Sequence, residues 1–161
     1  MAGICNGDFL LKLIPYGFDI VTLGGYNVDC PTIEAGSKII KRGRKEFHYP
    51  KDEIYGVISS EASKIKANSN VNVSVNLRST TPDEIIEISK IKDIDIVEIN
   101  CHCRQEELLQ INCGQNMMLR PDLEDYIKEV VNKSFSKVSV KIRANVPGVD
   151  TLEISKLIDY C

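Results

Sequence analysis

The sequence predicts an α/β protein, a partial (β/α)8 TIM barrel of parallel strands with outer helices, and three observations predict it. Strand-like and helix-like segments alternate along the chain, the pattern that builds parallel βα units. The strands carry one apolar and one polar face, whereas parallel strands covered by helices on both sides read as nearly all apolar. The length of 161 residues falls short of the about 250 that a complete barrel uses.

The elements follow in order. A stub at residues 1–4 stands where a first strand would end, and strands are predicted over 18–23, 70–77, 95–100 and 137–143. The longest helical pattern runs over 51–67, with Ile54, Val57, Ile58, Ala62 and Ile65 on one side. A second helix is predicted over 82–91, with Thr81 as N-cap and Pro82 in the first turn, a position that tolerates a missing N–H. Two more are predicted over 121–132 and 150–159, each opening near a proline or an acidic N-cap. Four strands and a stub make five of eight units, about the same fraction as the chain is of a whole barrel. The expectation is one incomplete domain over 1–161, entering late in the first strand and stopping after the fifth helix.

Composition narrows the setting. The formal net charge is −3, with 43% hydrophobic and 27% charged residues, normal for a packed core and too balanced for wholesale disorder. No apolar run is long enough to span a bilayer, and no basic and apolar leader opens the chain. Six cysteines at 5, 30, 101, 103, 113 and 161 show no paired Cys-x-x-Cys knuckles, so reduced thiols in a cytoplasmic setting are expected. Cys101, His102, Cys103 and Cys113 are spaced too tightly for ordinary zinc ligation, and no metal is expected.

Side-chain direction points to a site. Strand residues alternate between faces, so Val71, Val73 and Val75 oppose Asn72, Ser74 and Asn76, and Ser139, Lys141 and Arg143 share a polar face. In a barrel that polar face looks inward, and its carboxyl end is the catalytic mouth. Asn76, Asn100 and Lys141 lie at such ends. The two asparagines could instead end strands through local backbone hydrogen bonds. A lysine inside an apolar strand costs desolvation unless it meets an anion, a cofactor or a carboxylate, and Glu98 is the candidate for a purely structural pair. Lys38, Lys41, Arg42, Arg44 and Lys45 put five cations in eight residues; this is either solvated surface, the more common case, or a nucleic-acid-facing patch.

Several segments resemble one family. Residues 1–4, Met-Ala-Gly-Ile, are similar to the end of the first strand in the flavin-dependent tRNA-dihydrouridine synthases. Ile99-Asn100-Cys101-His102-Cys103 resembles their Ile-Asn-x-Gly-Cys-Pro motif, and Gly114 and Met117–Pro121 follow at the matching distance. Val138–Arg143 resembles Val-Thr-Val-Lys-x-Arg of the fifth strand, and Val75-Asn76-Leu77 with Pro82 resembles a Gln-Leu strand end. The archaeal branch of these barrels is the most similar, through Thr22–Asn27, Arg42–Phe47 and the His102-Cys103-Arg104 loop.

The resemblance implies a flavin-dependent oxidoreductase that reduces a uracil-type ring with hydride from reduced flavin mononucleotide. It implies tRNA or another uracil-containing substrate and reduced nicotinamide as electron donor. Ala2 and Gly3 would lie against the flavin ring, Asn76 would contact it, and Lys141 would stabilise its reduced, anionic form. Asn100 and Arg143 would face the substrate, and Cys103 would be the general acid, since a thiol with pKa about 8.5 carries its proton at neutral pH. The lesser alternative for Cys103 is a small buried hydrophobe. His102-Cys103-Arg104 in place of Gly-Cys-Pro is expected to add positive charge beside the thiol. The segments that hold the flavin phosphate in the seventh and eighth strands have no counterpart here, and weak flavin retention is expected. The other class of function is a non-redox barrel module, a lyase using Lys141 as a Schiff-base amine or an inactive fragment.

Overall fold

In a computed structural model that describes residues 3–161, four parallel strands pair in chain order within one sheet. They are β1 (Ile20–Asn27), β2 (Asn72–Arg78), β3 (Ile96–Cys101) and β4 (Lys137–Ile142). Helices α1 (Gly7–Leu13), α2 (Cys30–Lys41), α3 (Lys51–Asn68), α4 (Asp83–Ile88), α5 (Glu106–Leu109), α6 (Leu123–Lys133) and α7 (Thr151–Tyr160) complete the set. Helical connections between neighbouring parallel strands are barrel geometry, here with α2 and α3 between β1 and β2, α4 between β2 and β3, and α5 and α6 between β3 and β4. Among the described residues no strand pairs with the far edge of β4, whose residues are exposed or half-buried.

Period-2 alternation sorts the sheet into the two expected faces. Val21, Leu23, Val73, Val75, Leu77, Val97 and Ile99 are buried and join a core with Ile39, Ile54, Ile58, Ile65, Ile85 and Ile127 from the helices. On the other face the pairing aligns Thr22 with Ser74, Ser74 with Ile96, and Ile96 with Lys137. One level higher Gly24, Asn76, Glu98 and Ser139 align, and Asn100 is level with Lys141. Polar side chains are thus stacked toward the carboxyl ends of the strands.

Several boundaries differ from those the sequence predicts. The first strand begins at Ile20 and runs through Gly24 and Gly25 to Asn27, because pairing with β2 overrides the weak strand preference of glycine. A register shift between Gly24 and Tyr26 marks the place. Of the predicted stub, residues 1 and 2 lie outside the described residues. Gly3 and Ile4 form a turn, and the Cys5 carbonyl accepts from the Gly24 amide at 2.9 Å. The second predicted helix shortens to α4, and Pro82 rather than Thr81 occupies its N-cap with no side-chain bond.

Three helices, α1, α2 and the single turn α5, have no counterpart in the prediction. α1 is short, capped by Asn6, whose Oδ1 accepts from Phe9 N at 3.0 Å. α2 has a clearer signature: Asp29 Oδ1 accepts from Thr32 N at 3.0 Å, and Thr32 Oγ1 accepts from Asp29 N at 3.3 Å, a capping box with Pro31 in the first turn. The segment 42–50 then crosses from α2 to α3. Phe47 stacks on Tyr26 with centroids 4.8 Å apart, and Arg42 grips Glu107 with two bonds of 2.5 and 2.8 Å. This crossing is a strap tied down at both sides.

Candidate active site at the carboxyl ends of the strands

A cavity of about 490 Å³ opens at the carboxyl ends of the sheet, lined by Asn76, Glu98, Asn100, Cys103 and Lys141 from β2, β3, β4 and the loop after β3. Thr22, Gly24 and Gly25 of β1 and Arg44 and Lys45 of the strap close the other side.

Its floor is one hydrogen-bonded row. Asn76 Nδ2 donates to Glu98 Oε1 at 2.7 Å, and Asn76 Oδ1 accepts from Asn100 Nδ2 at 2.7 Å. Asn100 Nδ2 also donates to Cys103 Sγ at 3.3 Å, while its Oδ1 accepts from the amides of Cys103 at 3.1 Å and His102 at 3.3 Å. A carboxylate accepts only, so Glu98 fixes which end of Asn76 faces it, while the two backbone amides, which only donate, fix Asn100. The sulfur therefore receives an N–H, which leaves its own proton free to point elsewhere. Asn100 does end β3 through local backbone bonds, and it holds the thiol as well.

Glycines make room for this row. A Cβ on Gly25 would sit 2.4 Å from Asn76 Oδ1. Gly114 has φ +64°, and its Cβ would meet the Cys103 carbonyl at 2.3 Å. That carbonyl accepts from Gln115 N at 2.8 Å, so Cys103 is held on both flanks. Cys101, two residues away, is fully buried with its Sγ 4.0 Å from Met117 Sδ, and burial pushes its thiol up to about 12. Adjacent cysteines thus have opposite surroundings: Cys101 lies in the core, Cys103 at the cavity.

Beside the row lies a buried ion pair. Arg78 donates from one nitrogen to Glu46 Oε2 at 2.8 Å and to Asn27 Oδ1 at 3.0 Å, with both charged side chains at most 2% exposed. Burial opposes the charge of Arg78, but the Cys103 sulfur and the Glu46 carboxylate outweigh it and hold the guanidinium above its ordinary value. Arg78 Nε and Asn27 Nδ2 have no hydrogen-bond partner among the described residues.

Two charge expectations need correction. Lys141 is exposed, because β4 is an edge strand, so it carries no desolvation cost. Glu98, the candidate partner, is engaged by Asn76, and no carboxylate among the described residues pairs with Lys141. His102 adds no positive charge beside the thiol at neutral pH. Burial, then Lys141, Arg143 and Arg78, push its pKa down to about 4. Folded His102 therefore stays neutral where an unfolded histidine, at 6.5, takes a proton. Between pH 6.5 and about 4 this group makes stability fall as pH falls, by about 1–2 kcal/mol after allowing for solvent screening. Urea denaturation of His102→Gln at several pH values should show that loss removed; an unchanged slope would contradict the assignment.

The remaining predicted residues are placed as follows. Arg143 Nε donates to the His102 carbonyl at 2.9 Å, bracing the Cys103 loop. Gly3, with φ +70°, packs against the backbone of Lys45 and Glu46, and Ala2 lies outside the described residues. In the cationic run, Lys38 pairs with Glu34, Arg42 with Glu107 and Arg44 with Glu46, so most of the patch is neutralised surface. Among the described residues no group of three or more His, Cys, Asp or Glu side chains is arranged to hold a metal.

A parallel sheet with outer helices and a polar site at its carboxyl ends defines a (β/α)-barrel protein. The family model described as dihydrouridine synthase matches residues 45–159, and the chain belongs to that family. The family as a whole carries out flavin-dependent formation of dihydrouridine in tRNA on a TIM barrel. The chain is also 38% identical over 161 residues to the uncharacterized protein MJ0144 of Methanocaldococcus jannaschii, a match that covers 99% of this chain and 60% of that protein.

Sequence reasoning missed Arg78 and Glu46. Arg78 continues the alternation of Ser74 and Asn76, so extending the strand by one residue past 77 would have placed it on the inward face. Glu46 left no such signal, since only the course of the strap brings it there.

Proposed function

We propose that this chain holds flavin mononucleotide across the carboxyl ends of its strands and reduces a uracil-type ring, with Cys103 as proton donor. The observation that supports it most is the Cys103 thiol, bonded through its sulfur to Asn100 and bordering a cavity of about 490 Å³, a size suited to a small-molecule site. The residues present fit a flavin. Lys141 is a cation at the rim with no carboxylate partner among the described residues, Asn76 keeps one Nδ2 hydrogen for a ring carbonyl, and Gly24 and Gly25 border the cavity. When bound, the flavin would supply the hydride.

The rest falls to the chain. Cys103 delivers its proton to the neighbouring ring carbon and is left as a thiolate, which the Asn100 N–H and the nearby Arg78 charge stabilise. Asn100 acts on the substrate through the sulfur it holds, and Arg143 through the loop it braces and through its own charge. The substrate is tRNA or another uracil-containing molecule, and reduced nicotinamide is the electron donor. The setting is cytoplasmic; no helix among the described residues is long and apolar enough to cross a membrane.

Titrating flavin mononucleotide with the 161-residue chain, read by quenching of flavin fluorescence, should give saturable binding. Lys141→Ala should weaken it by roughly tenfold, the scale of one charge-assisted hydrogen bond. Absence of saturation, or superimposable curves for the two proteins, would overturn the flavin assignment.

A further inference from the structure

We infer that the buried pair of Arg78 and Glu46 sets how readily Cys103 parts with its proton, Arg78 pulling toward the thiolate and Glu46 restraining that pull. Both are positioning residues, acting on the substrate only through the sulfur. The inference rests on the reading of Cys103 as proton donor and adds what governs that donor.

Arg78 is the last residue of β2 and lines the same cavity as Cys103. It stands beside the row that holds the thiol. A Cβ on Gly25 would lie 3.4 Å from Arg78 Nε and 2.4 Å from Asn76 Oδ1, the atom that accepts from Asn100. The bonds of Arg78 to Glu46 and Asn27 both leave from one nitrogen, so the pair engages one corner of the guanidinium and leaves the buried Nε unused. Burial opposes the Arg78 charge, and the Cys103 sulfur and the Glu46 carboxylate offset that cost. A Coulombic interaction acts equally on both ends, so Arg78 acts on the sulfur in return.

A guanidinium left alone beside a thiol favours the thiolate, a form with no proton to give. A proton donor needs the thiol at rest and the thiolate only after transfer. Glu46 meets the first need. Its carboxylate is wholly buried, with Oε1 taken by Arg44 at 3.1 Å and Oε2 by Arg78 at 2.8 Å. The other groups around the sulfur do not supply that restraint. Arg44 and Lys45 of the strap, Arg104 of the loop, and Lys141 and Arg143 of β4 are cations. Glu98 is separated from the sulfur by Asn76 and Asn100. His102 is neutral, and Cys113, pushed up to about 12 by burial, keeps its proton. Glu46 does not border the cavity whereas Arg78 does, so the pair as a whole still favours the thiolate once the proton has gone.

The test follows alkylation of Cys103 by iodoacetamide against pH in the 161-residue chain, read by fragmentation mass spectrometry of the labelled peptide. Only the thiolate displaces iodide, so the midpoint of the rate profile marks loss of the thiol proton. Glu46→Gln should lower that midpoint by about one pH unit, which is about tenfold in rate on the acid side. Glu46→Leu with Arg78→Met should raise it by a smaller amount. A pair that serves only the fold would move both midpoints the same way, or neither, and either result would overturn the inference. Should Glu46→Gln fail to fold, the double variant decides alone, and a midpoint at or below that of the parent sinks the inference. Neither flavin nor RNA enters the measurement, so it judges the pair separately from the reaction. If Cys103→Ala does not slow flavin reoxidation while these midpoints shift in opposite directions, the proton-donor reading fails and the control of the thiol by the pair stands.

Discussion

Cys103→Ala is expected to slow oxidation of the reduced flavin by a uracil-containing RNA by roughly 10²–10⁴-fold, the range for loss of a general acid. Flavin binding and flavin reduction should stay nearly intact, since the thiol meets Asn100 and not the region proposed for the ring. The comparison that isolates the effect is Cys101→Ala. Its sulfur is buried against Met117, with its thiol pushed up to about 12, so its removal leaves a small core cavity and an unchanged rate of reoxidation. Single-turnover mixing of pre-reduced protein with RNA measures both. A Cys103→Ala protein that reoxidises as fast as the parent would reduce Cys103 to a packing residue.

Glu46→Gln is expected to destabilise the fold by about 3–5 kcal/mol, the cost of leaving a buried charge without its partner. Arg78 is almost wholly inside, and Asn27 offers it only a neutral oxygen. Arg44 loses its carboxylate in the same stroke. Replacing both partners at once, as Glu46→Leu with Arg78→Met, removes both desolvation costs and should recover much of the loss. Urea denaturation of the single and double variants decides the matter. A single variant within about 1 kcal/mol of the parent would mean that water reaches the pair, since exposed pairs contribute only that much.

How much of this was legible in the sequence depended on whether a feature was periodic. Alternating valines and isoleucines gave the strands and the inward polar face, and the helices between them gave the parallel order. α3 was found to within a residue by its Ile54, Ile58, Ala62 and Ile65 stripe. α2 was overlooked because Ala35, Gly36 and Ser37 dilute its apolar face, although Asp29, Pro31 and Thr32 mark its start. β1 was cut short at Gly24, where a strand that depends on its neighbour for support gives little local signal.

The site divided along similar lines. Asn76, Asn100, Cys103 and Lys141 were read from strand ends and motif, and the structure brings all four to one cavity. The environment of Lys141 was misjudged, because exposure of an edge strand is a property of the sheet and not of the residue. The Glu46–Arg78 pair spans 32 positions and depends on the path of an irregular strap, so no local pattern could announce it.

The row from Glu98 to Cys103 has one more consequence. A lone asparagine can turn its amide end for end at little cost, and two in contact offer several arrangements. Here one arrangement alone satisfies every partner, because the carboxylate at one end only accepts and the backbone amides of His102 and Cys103 at the other only donate. The site is therefore directional, with a sense written at β3 and read at a sulfur on the following loop. Glu98→Gln would leave that sense in place at the thiol, because the two backbone amides still hold Asn100 Oδ1 and so still turn its Nδ2 toward the sulfur.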